Sequence, residues 1–292
     1  GNAVLSAAGD TKRPLYYLAF AGVVNVILNL FFVIVCHLGV AGVALASMIS
    51  QFISAFLILR ALLTGKEKYC LRLSEIRFDK RKAVGILQIG IPSAFQYSLF
   101  AFANLFVQSS VNSFDHVLVE GNSAAANADP LVYDMMAAFY TACSSFIAQN
   151  FGARKKKRIL QTYLICLFYS FITSLVLGVG IYLARYPFLY LFTSDKAVVE
   201  AGITRLSIMA LSYSASAFMD ASIAASRGLG KTAVPTFVVV MGSCVFRIIW
   251  IYTIFAYFHT IQSLYILYVF SWGITAIAEN IYFFHVYRHT LT

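Results

Sequence analysis

Eight windows of mostly apolar residues, at 14–36, 40–63, 84–112, 119–150, 159–184, 199–226, 234–258 and 262–286, follow one another with short polar gaps between them. Each reaches about 20 residues, the length a helix needs to cross the hydrocarbon core of a bilayer. No other feature limits the fold as strongly. The chain is 60% hydrophobic and 12% charged, against about 45–50% and about 25% in a soluble domain, so no polar face is available to cover the apolar surface. Backbone N–H and C=O groups in lipid must be satisfied within their own segment, which makes each window a helix. The expected fold is an all-α integral membrane protein with about eight transmembrane helices.

The formal net charge of +10 would suit nucleic acid, but its distribution argues against that partner. Lys and Arg gather at 12–13, 60–82, 154–158, 227–231 and 288, whereas the gaps at 37–39, 113–118 and 259–261 have none. Basic residues therefore mark every second gap, which is the positive-inside pattern. It places the termini and the 60–82 segment in the cytoplasm of a multi-pass protein of the cell membrane. The five cysteines, at 36, 70, 143, 166 and 244, have no metal-ligand spacing and read as free thiols serving as small hydrophobes. His285 and His289 stand four apart at a helix end without an acidic partner, so no metal site is expected.

One phrase occurs twice. Residues 8–14 read AGDTKRP and residues 229–235 read LGKTAVP, so Gly9, Thr11 and Pro14 fall on Gly230, Thr232 and Pro235 at an offset of 221. In each copy a helix ends at glycine, a charged turn follows, and proline opens the next helix where its missing N–H costs nothing. The register persists downstream, with Ser50 on Ser271 and Ser54 on Thr275. Residues 83–292 then form one complete six-helix lobe. Residues 1–63 correspond to the end of the fourth helix and the fifth and sixth helices of a parallel lobe, and 64–82 is a cytoplasmic linker. On this register the first lobe would begin about 140 residues before Gly1, so the expectation is a fragment lacking its N-terminal helices.

The order and spacing of GDTKRP (9–14), LGVAGVALASMISQ (38–51), IGIPSAFQ (89–96), FVQSSVNSF (106–114), SSFIAQNFGARKKKR (144–158), FTSD (192–195), SRGLGKTAVP (226–235) and GSCVFRIIWIYTIF (242–255) resemble the multidrug and toxic compound extrusion (MATE) family over nearly the whole chain. The resemblance implies twelve helices in two lobes around a central cavity. It implies export of drugs or organic cations in exchange for H+ or Na+ by alternating access. The alternative it carries is a flippase for lipid-linked precursors or oligosaccharides on the same architecture. Some branches of the family have a glutamate near Phe100, and many relatives have aspartate where Asn29 stands; this chain has neither.

Ionisable residues inside spanning segments are costly and point to function. Asp134 and Asp129 are the ion-coupling candidates. Pro130 beside them would free a backbone carbonyl, suited together with a carboxylate to a hard cation or a proton. Gln96, Phe100, Asn104 and Gln108 step by four along one helix and, with Tyr133, Asp220, Glu279, Asn29 and Gln51, are the candidates for lining the cavity. Ser212–Ser216–Asp220 and Ser271–Thr275–Glu279 also step by four, so each set shares one helix face, either as helix glue or as cavity lining. Arg205 and Arg247 belong to the half away from the basic loops. There they would tie helices together or meet a carboxylate of that half. The cavity faces are thus expected to be rich in amides and hydroxyls, which favours organic substrates over phosphates. No zinc-type His/Glu pattern, no GxSxG and no paired carboxylates on one helix face suggest an enzyme. No cofactor is expected beyond the coupling ion. The expected partners are small organic molecules and the bilayer, not nucleic acid, and the expected state is a monomer.

The charge pattern makes a topological prediction. In a variant without native cysteines, a cysteine at Ser113 or His259 should react with a membrane-impermeant maleimide added to intact cells. One at Lys157 should react only after permeabilisation; labelling of Lys157 in intact cells would invert the orientation.

Overall fold

The computed structural model describes residues 1–64 and 70–290; residues 65–69 of the linker expected at 64–82 lie outside the described residues. Helices dominate, and among the described residues there is no strand. Eight segments are long and apolar enough to cross a membrane: α1 (Lys12–Val35), α2 (Gly39–Thr64), α3 (Lys80–Val111), α4 (His116–Gly152), α5 (Lys156–Leu183), α6 (Lys196–Gly228), α7 (Ala233–Phe258) and α8 (Ile261–Arg288). They fall into two compact units, Gly1–Asp79 and Lys80–Thr292.

In the first unit a short helix, Asn2–Ala7, sets Leu5 against Ile58 and Leu62 of α2. The polar residues of α1 turn toward α2. Asn25 donates to the hydroxyls of Ser50 at 3.2 Å and Ser47 at 3.5 Å, and Asn29 donates to Asn25 at 3.0 Å. Amide-to-hydroxyl bonds of this kind join helices where lipid supplies no hydrophobic drive.

The backbone repeats along with the sequence. Gly9 and Gly230 both adopt positive φ, +90° and +75°, the left-handed conformation that ends a helix at low cost for glycine. Pro14 and Pro235 both sit in the first turn of the helix that follows. A π-helical turn occupies Phe31–Val35 in α1 and Ile251–Phe255 in α7, and a left-handed histidine, His37 or His259, follows each. Ser50 accepts from Asn25 in α1, and its counterpart Ser271 accepts from Arg247 in α7.

In the second unit α6 is the centre, packed against α4, α5 and α8. Its small residues allow close approach. A Cβ on Gly178 of α5 would lie 1.9 Å from the carbonyl oxygen of Ala210, and one on Gly121 of α4 would lie 2.7 Å from the Cβ of Ala201. Capping fixes the helix starts: the Asp195 carboxylate accepts from the Ala197 N–H, and that of Asp115 accepts from the Leu118 N–H, satisfying donors that a helix N-terminus leaves open. α7 meets α8 through Gly242, where a Cβ would come within 2.4 Å of the Thr275 hydroxyl. A Ser243–Thr275 hydroxyl pair at 3.1 Å and the Trp250 indole on the Ser263 carbonyl at 3.0 Å complete that seam.

α4 is not one helix. It breaks at Asn127 into His116–Ala126 and Ala128–Gly152, which leaves Pro130 in the first turn of the second piece. A proline there removes no internal hydrogen bond. The Asn127 side chain donates to the carbonyls of Ser123 and Ala124, both at 3.1 Å. The expected pocket of proline-freed carbonyls therefore does not form at these residues; the break occurs earlier and caps itself.

The close α5–α6 crossing yields a stability prediction. Gly178→Ala forces a methyl into the Ala210 carbonyl, and overpacking of this sort costs about 1–3 kcal/mol. Thermal unfolding of the purified chain in detergent should show a lowered transition. Gly180→Ala, where the added methyl meets nothing within 4 Å, should leave it in place.

Candidate functional site

The stripe of α3 that steps by four, Gln96 buried, Phe100 half-buried and Asn104 and Gln108 exposed, lines two cavities of the second unit. The first, about 290 Å³, lies toward the basic loops and is lined by Gln96, Tyr97, Phe100, Tyr140, Asp220 and Arg227, among others. The second, about 270 Å³, lies toward the opposite end and is lined by Asn104, Gln108, Asn122, Asp129, Arg205 and Arg247, among others. Phe100, Tyr133 and Trp272 line both. Tyr133 and Trp272 meet edge to face with centroids 6.2 Å apart, in the range favoured by aromatic pairs. The two chambers thus share an aromatic wall.

Three guanidinium groups organise this interior. Arg227, in the last turn of α6, donates to the Tyr140 hydroxyl at 2.5 Å and to the Gln96 side-chain oxygen at 2.9 Å. It shares the first chamber with Asp220. Arg205 donates to Asp129 at 2.5 Å and to Asn122 at 2.7 Å. The other Asp129 oxygen accepts from the Tyr213 hydroxyl. Arg247 is fully buried. It donates to Asn104 at 2.8 Å and Ser271 at 3.2 Å, and it lies 4.8 Å from the Phe100 ring centroid and 4.5 Å from that of Tyr268. Two π-helical stretches of α7, Val240–Val245 and Ile251–Phe255, flank its turn; such wide turns recur at functional positions.

These positions revise the sequence reading. Asp134, expected to be a buried carboxylate at mid-depth, is exposed. Helical geometry explains it: Asp129 and Tyr133 are four apart and share the interior face, and Asp134, one residue on, turns roughly 100° away. Asp129 is the carboxylate that meets an arginine, and both its oxygens are engaged. The hydroxyls of Ser212 and Ser216 bond to backbone carbonyls of their own helix α6, at Ile208 and Tyr213, and of this stripe only Asp220 lines a chamber. Ser271 and Thr275 face α7. Glu279 completes their stripe, fully buried, outside the lining of both chambers, with neither carboxylate oxygen hydrogen-bonded. Asn29 and Gln51 belong to the first unit, where Asn29 is half-buried and Gln51 exposed. To the expected amides and hydroxyls of the cavity faces the structure adds three guanidinium groups, Arg227, Arg205 and Arg247. Arg227 read in sequence as a topology signal, yet it stands seven residues beyond Asp220 on the same face of α6, a spacing that could have exposed it. Tyr140, Tyr213 and Trp272 carried no such signal in a chain with 18 Tyr and 26 Phe.

Among the described residues, no cluster of three or more His, Cys, Asp or Glu could hold a metal ion.

The MatE family profile matches residues 92–253. A probable multidrug resistance protein, YpnP of Bacillus subtilis, is 32% identical over 157 residues, covering 53% of this chain and 35% of that protein. The probable multidrug resistance protein NorM of Thermotoga maritima is 24% identical over 243 residues, covering 80% and 51%. The fold is similar to that of a MOP superfamily transporter from Pyrococcus furiosus, with a TM-score of 0.90 at 20% identity over 97% of this chain and 64% of that one. The chain thus spans about half or less of these curated relatives and about two-thirds of the solved structure.

Because the Arg205–Asp129 pair is largely buried, its two members should not be separable. Asp129→Asn leaves a buried guanidinium unpaired and should destabilise the purified chain by about 3–5 kcal/mol. Combining it with Arg205→Met should recover most of that loss in the same denaturation assay.

Proposed function

The chain belongs to the MatE family, and on that footing we propose that it acts as a secondary active transporter of the cell membrane, exporting small organic molecules in exchange for H+ or Na+. Its basic loops face the cytoplasm, and it is a transporter rather than an enzyme. The observation that carries the coupling assignment is Glu279, fully buried and with no hydrogen-bond partner on either oxygen. An unpaired charge in such a place is costly, so its neutralisation by a proton or a cation is a change in free energy the transporter can use. Asp220 lines the chamber near the basic loops. Arg227 lines the same chamber as Asp220.

In this mechanism the coupling ion and the substrate compete for Asp220, and Arg227 of the same chamber responds to which of them is bound. A substrate entering between Tyr97, Phe100 and Tyr140 meets Asp220 and shifts Arg227 from its bonds to Gln96 and Tyr140. Ion arrival at Glu279 and Asp220 restores them. A ligand shifts a two-state equilibrium only by its difference in affinity for the two states. Alternating access therefore requires these carboxylates to have different surroundings in each state. Asp129 is held by Arg205 and Tyr213, and Asp134 is exposed, so coupling is assigned to Glu279 and Asp220. The second reading, a flippase for a phosphate-bearing lipid precursor, draws on the three guanidinium groups. Two of them are already met by protein groups of the chambers: Arg205 by Asp129, and Arg227 by Gln96 and Tyr140.

The test is gradient-driven efflux of ethidium from vesicles containing the intact protein as its own cell makes it. Glu279→Gln should lower ion-driven efflux at least tenfold while retaining ethidium binding, Asp220→Asn should impair both, and Asp134→Asn should transport nearly as wild type. Normal efflux by Glu279→Gln together with loss in Asp134→Asn would reverse the assignment.

A further inference from the structure

The chamber lined by Arg247 has an uneven polar inventory. Both oxygens of Asp129 are engaged, by Arg205 and Tyr213. The side-chain oxygens of Asn104 and Asn122 are engaged by Arg247 and Arg205. Three buried groups of residues that line this chamber have no protein partner: Nη2 of Arg247, Nε of Arg205 and the hydroxyl of Tyr265. All three can donate. A chamber whose buried carboxylate and amide oxygens are engaged and whose buried donors are not is matched by a ligand that brings acceptors.

Charge points the same way. The chamber wall carries two guanidinium groups, Arg205 and Arg247, against one carboxylate, Asp129, and Asp129 forms its ion pair with Arg205. Arg247 is fully buried, and its partners are neutral: the Asn104 amide, the Ser271 hydroxyl and the faces of Phe100 and Tyr268. A buried cation without a compensating anion is an unfavourable arrangement. It is relieved by an oxyanion, for which a planar guanidinium is the matching donor.

We propose that this chamber binds the carboxylate or phosphate group of a small aromatic molecule, with Nη2 of Arg247 as its anchor and the shared wall of Phe100, Tyr133 and Trp272 receiving the aromatic body. Arg205 and Tyr265 supply the adjacent donors, and Asn104 and Ser271 orient Arg247. The proposal deepens the transporter reading by naming a substrate class. It rests on that reading only for the movement of the ligand across the membrane, since binding requires no gradient.

Binding is measured on the purified chain in detergent through Trp272 fluorescence, in a Trp250→Phe background that leaves Trp272 as the reporter. The probes are benzoate, phenyl phosphate, neutral benzamide and benzylammonium at constant ionic strength. A charge-assisted hydrogen bond contributes about tenfold or more in affinity, so benzoate and phenyl phosphate should each bind at least about tenfold tighter than benzamide. Benzylammonium should bind no better than benzamide. Asn104→Asp sets a carboxylate beside Arg247, and Arg247→Gln removes the charge; each should abolish the preference for the anions. Because Asn104→Asp supplies the missing counter-charge, its thermal transition should not fall, which keeps the test decisive if Arg247→Gln fails to fold. Equal binding of benzamide and benzoate, or an unchanged preference in Asn104→Asp, overturns the proposal. Tight binding of dihexanoyl phosphatidate without binding of benzoate assigns the site to a lipid phosphate and also overturns it. Loss of gradient-driven efflux with anion binding intact would count against the transporter reading alone.

Discussion

A charge inside this bundle has only other side chains to turn to, and that constraint organises the second unit. The helices are apolar on most faces, and many of their large side chains, such as Phe95, Phe102, Leu105 and Leu131, are exposed; charges are costly on such faces, and Asp134 is an exception there. Polar groups are therefore driven onto the surfaces where α3, α4, α6, α7 and α8 face one another. There they divide into those that are met and those that are not. The Asp129–Arg205–Tyr213 set, with Asn122, is met and holds α4 to α6. Glu279 and Nη2 of Arg247 are not. The matched set accounts for how the second unit holds together, and the unmatched groups are where a bound counter-charge would change the energy most.

Much of the architecture was legible because it follows from simple periodicities. A spanning helix needs only an apolar run of sufficient length, and all eight windows are helical over matching extents, the fourth as two helices that meet at Asn127. The glycine that ends a helix and the proline that opens the next are local decisions, visible in GDTKRP and GLGKTAVP, and the left-handed φ of Gly9 and Gly230 makes them concrete. The chamber stripe of α3 was legible for the same reason, since residues four apart share a face. Asp134 was misplaced because choosing between adjacent residues of one turn requires the direction of the helix, which Pro130 obscured. With the break at Asn127 the second helix of α4 starts at Ala128, and Tyr133, not Asp134, faces the interior.

Partner choice was less legible. Depth along the helices kept Arg247 away from Asp220 and Glu279, yet it could not show that Arg205 would take Asp129 and leave Arg247 with aromatic faces and an amide. That outcome depends on the rotation of α7, which its two π-helical stretches alter. Arg227 illustrates the opposite case. A residue counted as part of a basic loop turns inward from the last turn of α6 and joins Gln96 to Tyr140. One side chain can thus belong to the charge pattern that orients the chain and to the chamber as well.

The division between matched and unmatched charges is the central claim, and the sign of a stability change tests it. Removing the charge of a matched carboxylate destabilises the fold, whereas removing that of an unmatched one relieves a penalty. The thermal transition of purified Glu279→Gln in detergent should be unchanged or raised relative to the parent chain. A clear fall would show that Glu279 has a structural partner in the fold and would contradict the account.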